Sequence, residues 1–105
     1  MSLPPLWDMV EQARAFDGAR TLILAVGKAP MVRIAEEGLR PIDDALPQVT
    51  HTDMARLLSI AVEPEQWYRL EQVGDGEFTL ARGTGRPITM TVFRASESWS
   101  IVVRF

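Results

Sequence analysis

The residue types that carry chemistry in proteins are scarce in this chain. His51 is its single histidine, one residue inside a predicted helix, and the chain has no cysteine. A metal site or an acid–base pair needs partners, and no second histidine or cysteine is present to supply them. We therefore interpret His51 as a solvated residue of a first helical turn. The sequence predicts no catalytic residue and no metal ligand.

Two glycine-containing strings invite comparison with nucleotide-binding loops. Gly27-Lys28 resembles the end of a phosphate loop, but that loop needs a glycine five residues before its second glycine and a hydroxyl after the lysine. This chain has Leu22 and Ala29 at those places. Gly83-Thr84-Gly85 lacks the third glycine and the following helix of a dinucleotide fingerprint, and we interpret it as a hairpin turn. No cofactor is predicted, and the chain is not expected to be an enzyme.

Acidic residue pairs and tryptophans suggest two further functions, carboxylate catalysis and nucleic-acid binding, but both sequence signals are weak. Asp43-Asp44 and Glu36-Glu37 are sequence neighbours in loops, whereas catalytic carboxylate pairs need burial to separate their pKa values. The three tryptophans would suit stacking on single-stranded nucleic acid. The net charge is −3, however, and Trp67 falls on the apolar side of a predicted helix. We predict core or interface packing for the tryptophans and no nucleic-acid partner.

The totals describe one small globular domain. The chain has 105 residues, of which 47% are hydrophobic and 24% charged, as in ordinary globular proteins. No apolar run approaches the roughly 20 residues of a membrane span, and the first residues lack the pattern of a signal peptide. We expect a single domain over residues 1–105, located in the cytoplasm and not inserted in a membrane.

The hydrophobic pattern predicts three helices. Thr50 is a suitable N-cap for the second helix, with Asp53 in its first turn. The third begins with a proline, and Trp67 and Leu70 form its buried side. Gly74 is expected to end it. The predicted helices are Pro4 to Asp17, Thr50 to Ala61 and Glu63 to Gly74.

Six strands complete the expected fold. The first is a short continuous apolar run, which suits a central buried strand, and the last two alternate apolar with polar residues. The predicted strands are Thr21 to Val26, Met31 to Ala35, Leu39 to Ile42, Glu77 to Ala81, Ile88 to Phe93 and Trp99 to Phe105. The element order α-β-β-β-α-α-β-β-β predicts an α+β fold, with a six-stranded, largely antiparallel sheet and two to three helices packed on it.

Several strings, taken in order, resemble one known module. Gly27-Lys28-Ala29-Pro30-Met31-Val32-Arg33-Ile34-Ala35, followed by Gly38, is the closest match, to a family motif Gly-x-Pro-Pro-Met-Ile-Arg-Val-Asp-Gly. The other matching strings are Gly18-Ala19-Arg20-Thr21-Leu22-Ile23-Leu24, Leu39-Arg40-Pro41-Ile42, Leu46-Pro47 with the Thr50 to Ile60 helix, Pro64-Glu65-Gln66, Gly85 to Phe93 and Val103-Arg104. They are similar to the N-terminal, PAS-like domain of the PilT-type hexameric motor ATPases of type IV pilus retraction and type II secretion.

The resemblance implies a PAS-like fold and contacts through polar residues to neighbouring subunits and their nucleotide. Of those polar residues this chain keeps Arg86 and Arg104, which become candidate subunit or nucleotide-side contacts. The Ser-Asp and the His of the family's first strand are replaced here by Arg20-Thr21 and Ile23, and a second arginine by Thr89. The resemblance therefore implies a degenerate, non-catalytic copy that acts in assembly or partner binding.

The partner implied is a protein, either a second copy of the chain or a component of a motility or secretion motor. Two settings stay open: a piece of a longer ATPase, or a free-standing adaptor. The alternative function is a stand-alone PAS-like sensor of a small ligand. The last strand supplies the candidate interface residues Trp99, Ile101, Val102 and Val103. If this strand lies at the edge of the sheet, it pairs with a partner; if it is central, its backbone is already paired.

Overall fold

Nine helices and strands form in the expected order in the computed structural model of the chain, which describes residues 3–95 and 97–105. The predicted α+β class and element order are confirmed. The elements are α1 (Leu6–Arg14), β1 (Ala19–Ala25), β2 (Met31–Ile34), β3 (Gly38–Pro41), α2 (His51–Ala61), α3 (Pro64–Val73), β4 (Asp75–Leu80), β5 (Ile88–Ala95) and β6 (Ser98–Arg104).

The ends of α2 and α3 form where capping chemistry predicts them. Thr50 and Asp53 make a reciprocal capping box, in which each side chain accepts a hydrogen bond from the backbone N–H of the other residue. Pro64 occupies the first turn of α3. Gly74 ends α3 with φ of 94°, a left-handed conformation that glycine adopts without a Cβ clash.

The first helix is shorter than predicted. It ends at Arg14, three residues before the expected Asp17. The N–H of Phe16 donates to the carbonyl of Ala13, and the N–H of Ala19 donates to the carbonyl of Phe16. These hydrogen bonds join residues three apart, as in a 3₁₀-helix, and replace the α-helical pattern. Phe16 still packs against the core. Its apolar side chain extended the helical pattern beyond the true end.

The six strands form one sheet in the order β3-β2-β1-β6-β5-β4, and every neighbouring pair is antiparallel. Strands β1 and β6, the first and last along the chain, lie beside each other in the middle. The outer strands are β3 and β4.

The three helices pack on a single face of the sheet. On β1, Leu22 and Leu24 are buried, whereas Thr21, Ile23 and Ala25 between them are half-buried. The expectation of a central strand is therefore correct for β1, but only one of its faces is covered. The fully buried strand residues form the floor of the core: Leu22, Leu24, Val32, Ile88, Met90, Val92, Ile101 and Val103.

Candidate functional site

The face of the sheet opposite the helices, which we call the open face, is covered by none of them. It carries Ile23 of β1, Phe93 of β5 and Val102 of β6, all half-buried. Both sequence neighbours of Ile23 and of Val102, and Val92 beside Phe93, are fully buried on the helix side. Ser100 is 8% exposed between Ala25 and Phe93 and is the exception. Partial burial of this kind is what flanking strands provide when no further layer covers a sheet.

An apolar row crosses four strands of the open face. Strand register places Val102 opposite Ile23, Ile23 opposite Met31, and Met31 opposite Pro41. Neighbouring strands lie about 4.8 Å apart, so the row spans roughly 14 Å. Four adjacent apolar side chains on a helix-free face form a surface suited to another protein. We call these four residues the apolar row.

A polar row runs parallel to the apolar row, two residues further along the strands. It alternates hydroxyl and guanidinium groups, because Thr89 pairs with Arg104, Arg104 with Thr21, and Thr21 with Arg33. Arg104 donates to Oε2 of Glu77 at 3.1 Å. Both side chains of this pair are more than half exposed, so the pair orients Arg104 and contributes little stability.

The two arginines suggested by the resemblance lie in different surroundings. Arg104 stands on the open face, within the polar row. Arg86 lies in the loop before β5, is exposed, and its carbonyl oxygen accepts a hydrogen bond from Nη2 of Arg14 at 3.5 Å. The open face thus includes Arg104 but not Arg86.

The predicted interface strand needs correction. Strand β6 is paired on both sides, with β1 and with β5, so it has no free edge for a partner strand. Ile101 and Val103 are completely buried under the helices and are unavailable to a partner. Of the four candidate interface residues, Val102 alone lies on the open face.

Trp99, the fourth candidate, lies on the helix side of β6. Its ring centroid is 5.3 Å from that of Trp67 on α3, with the planes inclined by 51°. The guanidinium carbon of Arg94, from the neighbouring strand, lies 4.6 Å from the centroid of the Trp99 ring. Trp99 therefore fastens α3 to the sheet.

His51 is exposed at the start of α2, as expected for a residue of a first turn. Within residues 3–95 and 97–105, no group of three or more His, Cys, Asp and Glu side chains is arranged to hold a metal ion. In the same part of the chain, no helix has the length and apolar character needed to cross a membrane.

Sequence reasoning missed most of the open face. Ile23 sits in a continuous apolar run, where alternation cannot indicate which residues face a core. Met31 begins one predicted strand and Phe93 ends another, and the sequence does not show which strands pair with them. The alternation of β6 was the one usable signal, because it separates Val102 from Ile101 and Val103. Only the position of the helices decides which of the two sides of the strand is buried.

Comparison with known proteins places the fold. No protein-family description matches the sequence, and no curated protein does. The crystal structure of the pilus retraction motor PilT with bound ADP matches 98% of the chain, with a TM-score of 0.83 and 21% sequence identity. The Legionella pneumophila ATPase DotB matches 99% of the chain, with a TM-score of 0.76 and 14% identity.

The chain therefore has the fold of a part of these two proteins. It spans 29% of the length of each. The resemblance inferred from the sequence strings is confirmed at the level of the fold, since identities of 21% and 14% establish architecture rather than activity.

Proposed function

We propose that the chain is a non-catalytic docking domain of a motor ATPase of the pilus-retraction and secretion type, and that it binds its partner through the open face. The partner is a second copy of the chain or another component of the motor. Because such a motor consumes ATP, the proposal locates the domain in the cytoplasm.

The observation that carries the proposal is the apolar row. Val102, Ile23, Met31 and Pro41 are contiguous across four strands and lie on a broad face that none of the three described helices covers. Removal of contiguous apolar surface from water favours association with a partner. Arg33 is exposed beside the apolar row in the polar row, whereas Arg104 is paired with Glu77. The guanidinium of Arg33 favours a partner surface that carries a carboxylate.

The comparisons support the choice of partner. PilT is described as a pilus retraction motor and DotB as an ATPase, and the chain matches under a third of each. A domain of that size within a motor protein contacts neighbouring domains or subunits. Fold alone does not fix function, so the proposal depends on the open face together with the fold.

Site-specific photo-cross-linking tests the proposal. Benzoylphenylalanine placed at Val102 on the open face is expected to cross-link, in cells, to a motor ATPase subunit or to a second copy of the chain. The same group at Tyr68 is the matched control, because Tyr68 is 68% exposed on the outer side of α3. Equal cross-linking from both positions, or none from position 102, would contradict docking through the open face.

The non-catalytic part of the proposal has its own test. Purified chain with ATP and magnesium is expected to release phosphate no faster than buffer, because the sequence holds no phosphate loop and no acid–base pair. Phosphate release that persists through a second purification step, and that is lost when the chain is unfolded, would overturn the non-catalytic part of the proposal.

A further inference from the structure

The two outer strands of the sheet differ in how well their edges are protected. Strand β3 has four residues, begins with Gly38 and ends with Pro41, which has no N–H to offer. Strand β4 has six residues, contains no proline, and pairs with β5 without a bulge. An edge without proline or a bulge is a template for a further strand whose charges are compatible with it.

The register identifies which backbone groups of β4 face outward. The carbonyl of Gly74 accepts the N–H of Arg94, at 2.9 Å, at the start of the β4–β5 ladder. In an antiparallel pair the hydrogen-bonded positions alternate with positions whose N–H and C=O point away. Asp75, Glu77 and Thr79 therefore turn these groups toward the free edge. Among the described residues, no turn or loop hydrogen bond uses their N–H groups.

Two cavities lie along the helix side of β4. One of about 280 Å³ is open to solvent and is lined by α3 together with Gly76 and Phe78 of the strand. The other, of about 430 Å³, lies at the far end, where Leu80 meets Trp7 of α1 and Ile60 of α2. Gly76 and Leu80 are four residues apart and on the same side of the strand, which corresponds to roughly 13 Å. A strand paired with β4 would direct its side chains i and i+4 toward the two cavities.

The charges at this edge determine which kind of partner strand can pair with β4. Asp75 and Glu77 are both exposed on β4. Glu77 is paired with Arg104 at 3.1 Å, whereas Asp75 makes no ion pair within the described residues, so Asp75 carries the uncompensated charge. Two copies of β4 paired with each other would bring these acids together, which disfavours self-pairing. A strand with lysine or arginine at the facing positions would be attracted instead. The larger cavity is mainly apolar, with Leu57 and Ile60 in its wall, and suits a large apolar side chain.

We propose that the outer edge of β4 binds an extended segment of a partner protein as a seventh strand. Basic residues of that segment face Asp75 and Glu77, and an apolar residue enters the cavity beside Leu80. The backbone edge of β4 is distinct from the apolar row, although the side chains of Asp75 and Glu77 project to the open face opposite Phe93 and Thr91. The inference goes beyond the docking function proposed above and does not depend on the apolar row.

A labelled synthetic peptide that alternates lysine with valine and leucine is the probe. Fluorescence anisotropy is expected to show saturable binding to the chain, and hydrogen exchange is expected to slow at the amides of Asp75, Glu77 and Thr79. Reversal of both charges, with Asp75→Lys and Glu77→Lys together, is expected to weaken binding about tenfold. Val102→Lys on the open face is expected to leave it unchanged, which separates this result from the docking function.

The backbone is tested by two N-methylated forms of the same peptide. Methylation of the amides that face β4 is expected to abolish binding, and methylation of the alternate amides to preserve it. Thr79→Pro is expected to act like the first form, with Thr79→Ala as its control. The peptide forms keep the test valid if the proline variant fails to fold. No saturable binding, equal binding by both methylated forms, or unchanged exchange at Asp75, Glu77 and Thr79 would overturn the proposal.

Discussion

Trp67 of α3 and Trp99 of β6 pack with their ring centroids 5.3 Å apart and their planes inclined by 51°. Both rings are half-buried, and Arg94 lies over the outer one, Trp99, at 4.6 Å. The pair joins the start of α3 to the start of the central strand β6. Trp67 thus packs at the margin of the core, on the side of α3 that the sequence pattern predicted to be buried.

Replacement of Trp67 by alanine is expected to destabilise the fold by about 2 kcal/mol. This is roughly half the cost of truncating a fully buried aromatic residue, because the Trp67 ring is partly exposed. Urea denaturation followed by far-ultraviolet circular dichroism measures it. A loss above about 4 kcal/mol would mean that the ring is as buried as the sequence pattern suggested.

A double-mutant cycle isolates the contact between the two rings. Trp67→Ala and Trp99→Ala are expected to couple by about 0.5–1.5 kcal/mol, as tilted aromatic pairs do. Tyr68→Ala on the exposed side of α3 is the control, and its coupling to Trp99→Ala should be near zero. Strict additivity of the Trp67 and Trp99 variants would contradict the packing described.

The capping box of α2 makes stability depend on pH. The backbone N–H of Thr50 donates to the Asp53 carboxylate at 3.0 Å and lowers its pKa below the ordinary value of 3.8; desolvation opposes this shift, and the Thr50 hydroxyl and Arg56 add to it. Because the folded pKa is the lower one, the charged form contributes stability above pH 3.8 that is lost as pH falls through the folded pKa.

Asp53→Asn is therefore expected to destabilise the chain by about 1 kcal/mol at pH 7 and by less at pH 3. Thermal melts of the two proteins across this range give the difference, which should correspond to about 5 °C at neutral pH. Asp44→Asn, in an exposed loop, is the matched control. A difference that stays constant from pH 7 to pH 3 would show that the charge of Asp53 plays no part.

The caps of α2 and α3 could be read from the sequence because capping is local. Thr50, Asp53 and Gly74 act on residues within one turn, so the residue types alone predict the hydrogen bonds they make. The strands near the chain end were also recognised from alternation. Both predictions depend on neighbours a few residues away.

The open face could not be predicted because it depends on distant partners. Ile23 and Val102 are neighbours across β1 and β6 although they lie far apart in the sequence. Sequence alternation in β6 separates Ile101 from Val102 but leaves open which of them meets the helices. The positions of α1, α2 and α3 decide this, and they result from packing of the whole core.

Gly76→Ala is expected to destabilise the fold by about 1–3 kcal/mol, because α3 packs closely on β4 at this position. A Cβ there would lie 2.7 Å from Cδ2 of Leu70 and 3.2 Å from Cζ of Phe78. Leu70 is only 1% exposed, so its side chain has little room to move. Denaturant midpoints measure the effect, with Thr79→Ala on the same strand as control. An unchanged midpoint would mean that Leu70 adjusts freely.

Two neighbouring residues of β6, Ile101 and Val102, lie on opposite faces of the sheet. Ile101→Lys is expected to cost more than about 3 kcal/mol, because it places a charge in the fully buried core between Leu24 and Val92. Val102→Lys is expected to cost about 1 kcal/mol or less, since its side chain reaches solvent from the open face. Urea denaturation of both variants gives the two free energies of unfolding. Equal losses would show that both faces of β6 are covered, in which case a further part of the chain or a second copy already occupies the open face.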